Sequence, residues 1–125
     1  MSEAIPLEEE IEPRVAYQLP QPVGWKILIA LPEVDSQTEA GIYKPDEAIQ
    51  IEEVSTVVGC VLKLGPLAYK HEKFESTGPW CKEGDFIVMR AFSGTRITIH
   101  GNEFRLINDD TVEAVVEDPR GIERA

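Results

Sequence analysis

Apolar residues in this chain gather in short runs bounded by turn formers, and none of the runs carries a sustained helical period. Trp25-Lys26-Ile27-Leu28-Ile29-Ala30-Leu31 is dense in apolar and β-branched residues, which suits a buried strand; Pro32 ends it, because proline cannot donate to a ladder. Val57 to Leu64 predicts a second strand, with Gly59 where a bend or bulge would fall and Gly65-Pro66 as the closing turn. Phe86-Ile87-Val88-Met89 follows the turn signals Gly78-Pro79 and Glu83-Gly84-Asp85. Thr95 to His100 alternates with Ile97 and Ile99 on one face, Gly101-Asn102 supplies turn residues, and Glu103 to Ile107 returns as the second arm of a hairpin. Thr111 to Val116 makes a last strand, with Val112, Ala114 and Val116 on one face. About six short strands with tight turns and no helix predict an all-β fold, a small barrel or sandwich.

This pattern raises an edge problem. If the apolar first and last strands are not paired within the chain, their hydrogen bonds must be covered, and a neighbouring copy is one solution. A head-to-tail contact of that kind closes into a ring when the rotation allows it. Between the first two strands, Asp35 to Thr56 contains Gly41, Pro45 and little apolar periodicity, the marks of a functional or disordered loop. Within it Ile42-Tyr43 is an isolated apolar pair, and Ile49 and Ile51 alternate with Gln50 and Glu52.

The length of 125 residues allows one domain with modest arms. A barrel over 24–118 leaves an N-terminal arm over 1–23 and a short tail over 119–125. The net charge of −11 is concentrated: Met1 to Val23 holds five acids against Arg14, and Asp35 to Thr56 holds six against Lys44. The sign opposes binding to nucleic acid or to an anionic membrane surface. Both segments bury too little apolar surface to offset the entropy of ordering them, so both are expected to be mobile in the free protein. The longest wholly apolar run, Ile27 to Leu31, falls far short of the roughly 20 residues of a membrane helix. Glu3, Glu8, Glu9, Glu10 and Glu12 are the opposite of a signal peptide's basic start, which predicts a cytoplasmic protein. Cys60 and Cys81 are too few for a disulfide framework and are expected to be reduced.

Catalytic patterns are missing. There is no G-x-S-x-G elbow, and Ser93 has no base near it in sequence. Cys60, His71, Cys81 and His100 lack the close pairing of a zinc site, and no phosphate-cradling glycine loop occurs, so neither metal nor other cofactor is expected. Asp109 and Asp110 fall in a turn, where such side chains satisfy local backbone donors. Tyr69, Phe74, Trp80 and Phe86 lie near Lys70, Lys73 and Lys82, but in acidic surroundings packing accounts for them better than base stacking does.

Five segments, taken together, resemble a known family: Val58-Gly59-Cys60-Val61-Leu62-Lys63-Leu64-Gly65, Lys82-Glu83-Gly84-Asp85, Phe92-Ser93-Gly94-Thr95, Gly101-Asn102-Glu103-Phe104 and Val112-Glu113-Ala114-Val115. In order and spacing they are similar to the ten-kilodalton, GroES-type co-chaperonins, over about Trp25 to Glu117. The resemblance implies an irregular β-barrel assembling into a homo-heptamer, not an enzyme, that caps the ATP-bound ring of a GroEL-like chaperonin and encloses its folding chamber. It makes 35–56 the mobile loop that binds the chaperonin. The family's glycine and hydrophobic tripeptide then match Gly41, Ile42, Tyr43 and Lys44. Lys44 departs from the apolar pattern, which leaves Ile49 or Ile51 to supply the missing contact. Residues 66–81 occupy the roof region, and the acidic arm has no family counterpart. Additions of that kind look like those of phage-encoded co-chaperonins, which would act in a host cytoplasm. The alternative reading is a structural or decoration protein, viral or otherwise, that reuses the barrel and binds other shell subunits through loop and arm. An alcohol-dehydrogenase-like catalytic barrel would need a dinucleotide domain for which the chain has no room.

Overall fold

The runs rich in β-branched residues all become strands. The computed structural model describes residues 13–31 and 57–125. It contains β1 (Lys26–Ala30), β2 (Val58–Leu64), β3 (Phe86–Met89), β4 (Thr95–Ile99), β5 (Asn102–Asn108) and β6 (Val112–Val116). They form one antiparallel sheet in the order β4-β5-β1-β2-β3-β6. Its inner face curls round Ile27 and Ile29 of β1, Val61 of β2, Ile87 and Met89 of β3, Ile107 of β5 and Val112 of β6. The result is the small β-barrel that the alternation of short strands and turns predicts.

The register corrects the expectation about free edges. β1 is central, paired with β2 on one side and with β5 on the other. Its four consecutive buried residues, Ile27 to Ala30, fit a strand covered on both faces. Only the last strand behaves as expected: β6 pairs with β3 and, among the described strands, with no other. Of its expected inward residues only Val112 is buried, Ala114 is exposed, and Val115 on the opposite face is 48% exposed.

Two glycine signals act differently from their sequence reading. The register shift between β1 and β2 falls where Lys63 and Val61 oppose Leu28 and Ile29, not at Gly59. Gly59 is needed for close approach, because a Cβ there would collide with the Ile29 side chain. In the hairpin, Ile99 already pairs with Asn102, so the two turn residues are His100 and Gly101, both at positive φ.

The outer face of the sheet is apolar as well. Leu28 and Ala30 of β1, Val58, Cys60 and Leu62 of β2 and Phe104 of β5 form a second cluster. Val15, on a short helix, α1 (Pro13–Gln18), that strand patterning did not foresee, and Leu19, just after it, complete the cluster. Thus part of the N-terminal arm is packed, against the expectation of mobility. A helix of this length has no stability of its own and exists here because it is docked. Burying Val15 and Leu19 gains about 1.5–3 kcal/mol each, against a cost of about 1–2 kcal/mol for each residue ordered, so the segment is held only marginally. Tyr17 points away and is 94% exposed.

Candidate functional site

The loop singled out by the sequence runs between β1 and β2. All six of its candidate contact residues, Gly41, Ile42, Tyr43, Lys44, Ile49 and Ile51, lie outside the described residues. What the structure describes is the pair of stems, Ala30-Leu31 and Val57-Val58. Because β1 and β2 are antiparallel neighbours, the stems leave the sheet side by side at one end, with Ala30 opposite Cys60. Each is tied to a further strand. The Leu31 amide donates to the Glu103 carbonyl (3.4 Å), and the Met89 amide donates to the Val57 carbonyl (2.8 Å).

Charge reinforces the first tie. The Glu103 carboxylate accepts from Arg96 Nε at 2.9 Å and lies 3.5 Å from Nη2 of Arg105, whose side chain is completely buried. Burial lowers the Arg105 pKa from its ordinary value, and Glu103 opposes that change. A buried arginine opposite Ile29 in the β1–β5 register is invisible to a reading based on strand alternation alone.

At the other end of β2 the chain makes a second excursion, over the residues that the resemblance places in the roof. Its polar composition conceals a packed plug. Ala68, Tyr69, Phe74 and Cys81 are buried in the inner cluster. The Tyr69 ring meets Phe74 edge to face at 4.8 Å, and Phe74 meets Trp80 likewise at 4.9 Å, so packing does account for these aromatics. Polar anchors hold the plug down. The Tyr69 amide donates to Asp109 Oδ2 (2.9 Å) and its hydroxyl donates to the Asp109 carbonyl (2.8 Å), while the Asp109 amide donates to the Trp25 carbonyl (3.1 Å).

Asp109 is therefore not the local turn-capping residue that its Asn-Asp-Asp context suggests. It is buried, and its carboxylate serves a donor 40 positions away. Neighbouring Asp110 is exposed and paired with Lys73 at 2.7 Å, which holds its carboxyl below the usual range. Burial raises the Tyr69 phenol and the Cys81 thiol, whose oxygen and sulfur are 3.4 Å apart. Both stay protonated at neutral pH, a structural use of these groups. Cys60 and Cys81 are both buried.

Comparison with known proteins places the sequence that builds this barrel in a family. Residues 20–116 match the model of the chaperonin 10 Kd subunit. The chain belongs to that family. Among its relatives, the co-chaperonin GroES of Caldicellulosiruptor saccharolyticus is 32% identical over 99 residues, covering 78% of this chain and 97% of the relative. The co-chaperonin GroES of Rubrobacter xylanophilus is 29% identical over 98 residues, with the same coverage. That of Methylacidiphilum infernorum is 26% identical over 111 residues, covering 86% of this chain and 98% of the relative. The family match takes in both stems, the plug and all six strands, and begins after α1. No helix among the described residues is long and apolar enough to cross a membrane.

Proposed function

We propose that this protein is a non-enzymatic co-chaperonin that caps an ATP-driven chaperonin ring of the GroEL type, binding it through the loop between β1 and β2. The observation that carries this reading is the family match over the whole barrel, stems included. Gly41, Ile42 and Tyr43 are the candidate anchor in each loop, with Ile49 or Ile51 standing in for the apolar residue replaced by Lys44.

Binding through such a loop is weak one copy at a time. Burying one of these side chains is worth roughly 1.5–3 kcal/mol before the loop's ordering cost. Several loops tethered in one ring multiply the effect. A homo-heptamer is the assembly proposed from the family, and two unlike surfaces support a head-to-tail contact. One is the outer edge of β6, with exposed Val115; the other is the turn before β1, where Val23 and Trp25 are 73% and 51% exposed. In this reading the turn takes the role that sequence reasoning gave to β1 itself.

The test is to mix the protein with a chaperonin and ATP and to look for a capped complex by electron microscopy. Ile42→Ser is expected to leave the ring mass unchanged in light scattering while abolishing capping. A parent protein that forms no capped complex refutes the co-chaperonin reading, and an Ile42→Ser variant that caps like the parent refutes the loop assignment.

A further inference from the structure

α1 precedes the residues matched by the family, yet Val15 is 0% exposed and Leu19 is 8% exposed. The surface that they cover is not an arbitrary part of the wall. The cluster that they join includes Ala30, one residue before Leu31, and Val58, one residue after Val57; half-buried Val57 packs on the same cluster. The helix is thus packed into the same apolar cluster as both stems of the loop between β1 and β2. The connection back to β1 is Pro20-Gln21-Pro22, with the Gln21 amide nitrogen donating to the Leu64 carbonyl at 3.4 Å.

We propose that residues 13–22 form a strap that opens independently of the barrel and, when closed, clamps the two stems of the loop. The functional half of this inference rests on the co-chaperonin reading. Independence follows from how the strap is held: its buried contacts, through Val15 and Leu19, are apolar and non-directional, its polar contacts are at the exposed surface, and a helix this short melts as soon as it undocks. Opening exposes little surface compared with unfolding the sheet, so it responds weakly to denaturant. The clamp acts through entropy. With Ala30 and Val58 held under the strap, the loop starts from ordered stems and loses less freedom when it binds. Reciprocally, binding by the loop favours the closed strap.

The two buried thiols report the two faces separately, Cys60 in the strap's cluster and Cys81 in the inner one. Alkylation of the full-length protein by iodoacetamide is followed at each cysteine by mass spectrometry, each rate being normalised to that of the denatured chain. Cys60 is expected to react at least about tenfold faster than Cys81 and to be nearly insensitive to low urea. Val15→Ser should speed Cys60 by about tenfold again and leave Cys81 unchanged, whereas Val112→Ala, in the inner cluster, should speed Cys81 alone. Equal rates with equal urea dependence in the parent, or a Val15→Ser variant in which both thiols accelerate alike, overturn the strap.

The clamp is read in a second assay, capping of a chaperonin in the presence of ATP. Val15→Ser should weaken capping about three- to tenfold, and Cys60 should become protected in the capped complex. Capping that is unchanged by Val15→Ser overturns the clamp. A parent protein that does not cap at all refutes the co-chaperonin reading, while the thiol rates still decide whether the strap opens.

Discussion

The plug and the strap cover opposite faces of one sheet and are held in different ways. The plug combines buried rings with directional anchors: the Tyr69 amide and hydroxyl on Asp109, and the Asp109 amide on the Trp25 carbonyl. If the segment lifted away, the buried Asp109 carboxylate and carbonyl would lose their Tyr69 donors. The strap relies on Val15 and Leu19 lodged in an apolar groove. Among the described residues, its removal costs apolar contact and the exposed Gln21 bond to the Leu64 carbonyl. An excursion with polar anchors becomes part of the barrel's cooperative unit, whereas an apolar cover remains a separable element.

The largest expected difference between the two comes from deleting an apolar side chain on each side. Phe74→Ala removes a ring packed between Tyr69 and Trp80 and should destabilise the whole domain by about 3–5 kcal/mol. Val15→Ala should lower global stability by less than about 1 kcal/mol if the strap opens separately. Equilibrium urea unfolding, followed by the far-ultraviolet signal of the sheet, checks both. Similar losses in the two variants would merge strap and plug into one unit.

Asp109→Ala should come next, at about 1–3 kcal/mol, because it leaves the buried Tyr69 amide without its acceptor. Hydrogen exchange locates the damage: protection should fall over Ala68 to Phe74 while the centre of β1 remains protected. Loss spread evenly over the sheet would make Asp109 an anchor of the barrel rather than of the plug.

The smallest effect concerns pH. The Tyr69 phenol is raised above its ordinary value of 10.0, chiefly by burial. The unfolded chain therefore ionises first as the pH rises. The sign is fixed: this group's contribution is complete below about pH 10 and is lost progressively above it. Tyr69→Phe should cost about 0.5–1.5 kcal/mol at neutral pH through its hydroxyl hydrogen bond and should flatten the alkaline decline in stability. A parallel alkaline decline in parent and variant would assign that sensitivity to other groups.

Strand positions were legible because alternation and turn chemistry are local: a run such as Phe86 to Met89 must place successive side chains on opposite faces, whatever lies around it. The family was legible for a related reason, since ordered short segments such as Lys82-Glu83-Gly84-Asp85 mark the turns of its barrel. The order β4-β5-β1-β2-β3-β6 was not legible, because local pattern does not say which strands are neighbours, and β1 took the centre where an edge was expected. The same limit hid Asp109, whose partner is 40 residues away, and the buried Arg105. It also hid α1. A six-residue helix has no signal of its own, and only the apolar groove formed by three strands distant in sequence made it fold.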